Sequence, residues 1–290
     1  MLRSLLFVPG NRSDMLHKAS SSTADALVPD LEDSVPLTEK MKGREVVREV
    51  VPSLARSGHV VIPRVNALST GLVRDDLEAI VDLDISGVWV SKLESVWELR
   101  EISRILSVLE ERAGIPVGHT RIFGLLESAN ALQHSYDICR SSSRLAGVAL
   151  GAEDFLMDSG VPKTESGEET AFPRSKLALA ANAARVFPVD GPYIDVRDAQ
   201  GLEKHIRSAL LMGYKGKFAI HPNQVEPINQ AFSPSQEEID YAQRVVQVAE
   251  EAEARGHGAV TLDGKLVDLP IVERARRLLT AAEAIRVPHA

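Results

Sequence analysis

One cysteine, Cys139, stands among 290 residues. That excludes an internal disulfide and any multi-thiolate metal site. Lodged in the helix-like stretch QHSYDICRSS, it reads as a small buried or half-buried apolar residue. Basic residues are also scarce: 33 Lys and Arg face 41 Asp and Glu, for a net charge of −8. Duplex nucleic acids and anionic membrane surfaces both need a basic face, so neither is expected as a partner. A single arginine in a cleft can still hold a small anion. No apolar run approaches the ~18 residues of a membrane span, and the short run before Pro9-Gly10 is too brief for a signal-peptide core, so a soluble cytoplasmic protein is expected. Pro9-Gly10-Asn11-Arg12 has the wrong glycine count for a dinucleotide or phosphate-binding loop. No low-complexity segment or long linker divides the chain.

What remains is a 44% hydrophobic chain able to bury a large core. Short apolar runs fall at residues 5–8, 26–28, 60–65, 87–90, 122–126, 145–150, more weakly near 192–196, and at 218–220. Most are continuous rather than alternating, as in parallel strands buried on both faces. Amphipathic stretches separate them, for example 39–51, 96–109, 174–186 and 201–212. Thr38, Ser95 and Asp198 stand where helix N-caps belong. Eight strand–helix units in a row predict an α/β fold, a (β/α)8 TIM barrel over residues 1–225; a doubly wound sheet is the weaker alternative. Residues 226–290 read as a C-terminal helical extension. In it Ser233-Pro234-Ser235 caps a helix over 237–254, then come a break at Gly256-His257-Gly258, an Asp263-Gly264 turn and a last helix over 270–285.

In a TIM barrel the functional groups sit where strands end. Here the strand ends read Asp30-Leu31-Glu32-Asp33, Arg64-Val65-Asn66, Lys92-Leu93-Glu94, Glu127-Ser128, Gly151-Ala152-Glu153-Asp154 and His221-Pro222-Asn223-Gln224. Any one carboxylate there serves equally as a helix cap. Several converging on one mouth repel unless a cation joins them. Glu127 and Asp154 end adjacent strands and suit a shared divalent ion, Mg²⁺ or Mn²⁺ given hard oxygen donors. Arg64 either grips a substrate carboxylate bidentately or pairs with Asp30 or Asp33. His221 stays open between base, ligand and packing residue. The polar stretch 158–172, with Gly160 and Gly167, is either a lid or a solvated loop.

At these residues the chain resembles the citrate lyase β-subunit-like proteins (citryl-, malyl- and citramalyl-CoA lyases) of the HpcH/HpaI aldolase superfamily. The matching blocks are Arg3-Ser-Leu-Leu-Phe-Val-Pro-Gly10, Asp30-Leu-Glu-Asp-Ser-Val35, Arg64-Val-Asn66, Ser91-Lys-Leu-Glu-Ser95, Leu126-Glu-Ser128, Gly151-Ala-Glu-Asp154, Asp198 to Leu202, and Phe218-Ala-Ile-His-Pro-Asn-Gln-Val225. Ser91 stands where relatives often carry proline. The resemblance implies a Mg²⁺-dependent carbon–carbon lyase, usually a homotrimer, acting on a CoA thioester and releasing or taking up a small keto acid. It implies metal ligation by Glu127 and Asp154 and keto-acid binding by Arg64. Asp30, Glu32 and Asp33 then orient Arg64 or metal-bound water, with Asp33 also a catalytic candidate and Ala152 a substrate contact. Gly264-Lys-Leu-Val-Asp-Leu-Pro270 resembles the segment that delivers an acid/base aspartate, here Asp268, often onto a neighbouring subunit. Without the resemblance Asp268 reads as the N-cap of the last helix. Arg12, Lys18 and Lys92 are candidate CoA contacts. Two rivals remain: a subunit acting on an acyl-carrier-protein thioester, docked through Arg274, Arg276 and Arg277, and a metal aldolase on a free hydroxy-keto acid.

Overall fold

The structure is a computed structural model and describes residues 2–164, 166–256 and 258–286. Residues 2–229 and 230–286 form two compact units.

The larger unit is built on nine parallel strand segments: β1 (Ser4–Pro9), β2 (Ala26–Asp30), β3 (Val60–Val61), β4 (Arg64–Val65), β5 (Gly87–Val90), β6 (Arg121–Leu126), β7 (Leu145–Leu150), β8 (Phe187–Asp190) and β9 (Gly216–Ala219). β3 and β4 are two halves of one strand, interrupted at Ile62-Pro63, and both pair with β2. The sheet closes because β1 pairs with β2 on one side and β9 on the other, with Leu5 opposite Ala26 and Phe218. The result is a closed eight-stranded (β/α)8 barrel of the TIM type.

Its helices are α1 (Ser13–Ala19), α2 (Lys40–Arg56), α3 (Val73–Ile80), α4 (Val96–Ala113), α5 (Ala129–Gln133), α6 (Ser135–Arg140), α7 (Ala152–Ser159), α8 (Glu168–Ala183), α9 (Ala199–Met212) and α10 (Val225–Ala231). Helix α4 shows the logic. Ser95 caps it through the Glu98 N–H, and Gly114 ends it in the left-handed region at φ 71°. Its buried stripe, Leu99, Ile102, Ile105, Leu106 and Leu109, follows the three- and four-residue spacing that packs one helix face. Asp198 caps α9 in the same way, through Gly201.

The barrel interior is apolar, from Leu5, Val28 and Ile62 to Trp89, Phe123, Val189 and Phe218. Aromatic rings form a stack through it. Phe123 meets Trp89 at 5.0 Å, Trp89 meets Phe218 at 4.8 Å, and Phe218 meets Phe7 at 4.5 Å between centroids. Arg64 lies over the Phe7 ring at 4.8 Å, so the core runs directly into the charged mouth.

Several expected elements fall elsewhere. The seventh strand is Phe187–Asp190, not 192–196, which is loop. Phe187 and Val189 follow the alanine-rich helix with Arg185 as the one polar residue between, so the boundary is hidden in the sequence. Thr38 does not cap α2: residues Leu37–Glu39 form a 3-10 turn, and the helix starts at Lys40 without a side-chain cap and continues past Pro52. The irregular part of 158–172 shrinks to 160–167, because α7 reaches Ser159 and α8 begins at Glu168; Glu165 lies outside the described residues. Cys139 is buried, and its thiol is held up near 12 by that burial.

The smaller unit holds α11 (Gln236–Glu253), the antiparallel hairpin β10 (Val260–Leu262) and β11 (Lys265–Val267), and α12 (Leu269–Arg286). Ser235 and Glu238 form a reciprocal capping box on α11, and Asp263-Gly264 makes the hairpin turn. His257, in the expected break, lies outside the described residues. Ala242, Val245, Leu262, Val267, Val272 and Ala275 make a separate small core. Arg274, Arg276 and Arg277 are exposed, and Arg276 faces Glu273 at 3.4 Å and Glu250 at 3.8 Å.

Candidate active site

The C-terminal ends of the barrel strands collect five carboxylates, Asp30, Glu32, Asp33, Glu127 and Asp154, around two cations, Arg64 and Lys92. Asp30, at the end of β2, is buried and fully engaged. Its Oδ1 accepts from the Glu32 N–H at 2.9 Å and Arg64 Nε at 2.6 Å; its Oδ2 accepts from the Ser34 N–H at 3.0 Å and Arg64 Nη2 at 2.7 Å. Burial alone would raise this carboxyl, but the Arg64 guanidinium and the two N–H groups hold it below the ordinary value. The bidentate pair fixes Arg64, which turns Nη1 toward Glu32 at 3.1 Å and Asp33 at 3.7 Å. The structural pairing of Arg64 with Asp30 is therefore real, and it also aims the guanidinium: Arg64 lines the cavity.

Glu127 follows β6 and is 5% exposed. Burial first, then Asp154 and Glu32, push its carboxyl up to about 7. Only glycine fits at position 151, because a Cβ there would meet Glu127 Oε1 at 2.1 Å. Asp154 comes from the first turn of α7, with its side chain a quarter exposed. Lys92 sits in the left-handed region, at φ 49°, an uncommon conformation for a side-chain-bearing residue. That turn lets its N–H donate to Glu127 Oε2 at 2.7 Å while Nζ reaches Glu32 at 3.1 Å and Asp154 at 3.4 Å.

A cavity of about 160 Å³ opens here, polar on the side of Asp33, Arg64, Glu127 and Asp154, and apolar at Phe7, Leu125, Leu150, Pro192, Ile194 and Phe218; Ala152 also lines it. Drug-sized ligand pockets run to ~300–1,000 Å³, so this one suits a small acid or the acid end of a longer ligand. Among the described residues, no group of three or more His, Cys, Asp or Glu side chains is arranged to hold a metal by itself. A hard cation here would rest on Glu127 and Asp154, with water and substrate oxygens filling its other positions, the usual habit of Mg²⁺. The burial of Glu127 and the repulsion from Asp154 that together lift its carboxyl are the observation such an ion fits.

The remaining sequence candidates separate. His221 is exposed and caps a short 3-10 turn, pairing with the Asn223 side chain at 2.7 Å. Arg12 is exposed and paired with Asp14, and Lys18 is exposed. Asp268 belongs to the smaller unit. Its carbonyl accepts from Ile271 and Val272, whereas its side-chain Oδ1 is buried with no hydrogen-bond partner, so the carboxylate is not spent capping α12. One group at the mouth, Phe7, escaped sequence reasoning, though the inward alternation Leu5, Phe7 could have found it. Lys92, expected as a CoA contact, instead stands among carboxylates, paired with Glu32 and Asp154. That placement depends on its backbone turn, which no sequence signal announces.

A closed parallel barrel with carboxylates ringing its C-terminal mouth has the architecture of an enzyme and fits metal-assisted chemistry on a small acid. The family model of the HpcH/HpaI aldolase/citrate lyase family matches residues 3–222, and the chain belongs to that family. It is 34% identical to the citrate lyase subunit beta of Escherichia coli K12, over 97% of this chain and 93% of that one. It is 31% identical to a (3S)-malyl-CoA thioesterase of Cereibacter sphaeroides, over 98% and 95%. The Mycobacterium tuberculosis protein CitE, solved with magnesium, acetoacetate and coenzyme A, superimposes with a TM-score of 0.79 at 26% identity, covering 97% of both chains. The chain is thus a lyase of this family.

Proposed function

We propose that the chain is a Mg²⁺-dependent lyase that cleaves, or forms, a 3-hydroxy-3-carboxyacyl-CoA thioester such as citryl-, citramalyl- or malyl-CoA, giving acetyl-CoA and a keto acid. The observation that carries this reading is the pairing, in one small cavity, of two crowded carboxylates, Glu127 and Asp154, with a pre-aimed guanidinium, Arg64. Magnesium and coenzyme A in the CitE structure, and the malyl-CoA named for the other relative, support it.

Glu127 and Asp154 would hold the ion, which when bound lowers the pKa of the substrate hydroxyl and stabilises the developing carbonyl. Arg64 pairs with the substrate carboxylate through its outward edge, kept in orientation by Asp30 and Glu32. Ala152, at the start of α7, lines the same cavity, and its N–H would donate to the same anion. Asp33, exposed at the rim and 3.7 Å from Arg64, is placed to accept the hydroxyl proton. Asp268, whose buried oxygen is uncommitted within its own unit, is the acid/base for the acetyl-CoA carbon, delivered to a neighbouring subunit in a homotrimer.

The test is one assay set: purified chain and Mg²⁺ with citryl-, malyl- and citramalyl-CoA, following free keto acid. One thioester is expected to be cleaved, and Asp154→Asn to abolish the cleavage while leaving the circular dichroism spectrum unchanged. Full activity in that variant refutes the ligand assignment.

A further inference from the structure

Behind the pocket lies a second buried charge cluster that the chemistry above does not use. Asp190, at the end of β8, is 1% exposed, and Lys217, on β9, is fully buried. Arg174 from α8 donates to both oxygens of Asp190, at 3.0 and 3.1 Å. Lys217 Nζ donates to Asp190 Oδ2 at 2.7 Å, to His205 Nδ1 of α9 at 2.7 Å, and to the carbonyl of Gly191. An ammonium has three N–H donors, and all three are used. Because Lys217 Nζ can only donate, His205 Nδ1 accepts at this contact, although it also lies 3.2 Å from Asp190 Oδ2; burial, with Lys217 and Arg174 nearby, holds His205 below its ordinary pKa against the pull of Asp190.

A buried lysine costs several kcal/mol of desolvation, and Arg174 already satisfies Asp190. What Lys217 adds is the grip on Gly191. Gly191 opens the irregular loop 191–198, whose Pro192 and Ile194 line the cavity. Further ties hold the same loop. The Tyr193 ring lies against His205 at 5.5 Å, and its hydroxyl donates to Asp198 at 2.7 Å. Gln224 Nε2 donates to the Tyr193 carbonyl at 2.8 Å, and Asn223 Nδ2 to the Val196 carbonyl at 3.0 Å. Lys217 is not among the cavity-lining residues and has no free N–H, so it is not placed to act as a nucleophile.

We infer that Lys217 is a positioning residue: through Gly191 and His205 it fastens the loop 191–198 and so fixes the apolar Pro192–Ile194 wall against which the substrate packs. What the wall contacts rests on the lyase reading; the fastening itself does not. The test compares wild type, Lys217→Met and, in case the first variant folds poorly, His205→Leu, which removes one acceptor and leaves the Asp190 ion pairs. In Lys217→Met, amides of 191–198 are expected to exchange hydrogen at least about tenfold faster, with the barrel strands unchanged. KM for the cleaved thioester should rise about tenfold with kcat within about threefold, because the wall touches ground state and transition state alike. His205→Leu should move both in the same direction, less far. Unchanged exchange in 191–198, acceleration throughout the barrel, or a loss confined to kcat overturns the inference. If wild type cleaves no thioester, the lyase reading fails and the exchange result alone decides the role of Lys217.

Discussion

Two clusters of charge stand in the barrel, one at its mouth and one between β8, β9 and helices α8 and α9, and they are built on opposite plans. At the mouth, five carboxylates surround Arg64 and Lys92, leaving negative charge in excess. At β8 and β9, a single carboxylate, Asp190, meets Lys217, Arg174 and His205, and every Lys217 donor is satisfied. Buried charges are normally paired. The closed cluster obeys that rule and fastens a loop. The open cluster breaks it beside a cavity, as expected where a ligand supplies the missing charge.

Breaking each cluster should therefore have a different signature. The largest effect belongs to Glu127→Gln. Turnover should fall at least a hundredfold, since even residues one step removed from a metal are worth about 10–100-fold. Thermal stability should stay level or rise, because a carboxylate that the fold repels has been made neutral. Arg64→Ala comes next. It removes the keto-acid grip and strands buried Asp30, so a stability loss of about 3–5 kcal/mol is expected by denaturant titration, together with a raised KM.

Asp190→Asn tests the closed cluster through pH. The folded state holds Asp190 far below the ordinary carboxylate value: burial would raise it, but the charges of Lys217 and Arg174 overcome that. Below about pH 4 the unfolded chain therefore binds a proton that the folded chain refuses. The stability that Asp190 contributes is full above that pH and is lost progressively as pH falls below it toward the far lower folded-state value. The gap in Tm between wild type and Asp190→Asn should accordingly be wide at pH 7 and narrow on acidification. A gap independent of pH would mean that Asp190 acts through packing alone. The smallest effect is on stability in Asp268→Ala. Its side chain makes no cap bond, so the cost should fall under the ~0.5–2 kcal/mol of a lost N-cap, while activity drops sharply in the same preparation.

How much of this could be read beforehand differs between the two clusters for a physical reason. The mouth was legible because its carboxylates sit at the ends of continuous apolar runs, and strand ends are where such barrels place their chemistry. Ser95, Asp198 and Ser235 were equally legible as caps, because capping is a local bond between near neighbours. The second cluster was hidden. Placing the seventh strand at 192–196 rather than Phe187–Asp190 kept Asp190 from being seen as a strand end, and starting the last strand at 218 rather than 216 left Lys217 outside it. Their pairing spans 27 residues and exists only once β8 and β9 lie side by side. The same holds for Lys92, whose reach to Glu32 spans 60 residues.

The central claim is that the crowded carboxylates at the mouth are a divalent-cation site. Mn²⁺ binding followed by electron paramagnetic resonance reads that directly, without any substrate. Wild type should bind a single ion per chain that excess Mg²⁺ displaces, and Glu127→Gln and Asp154→Asn should bind none at the same concentration. Equal binding by wild type and both variants would contradict the account.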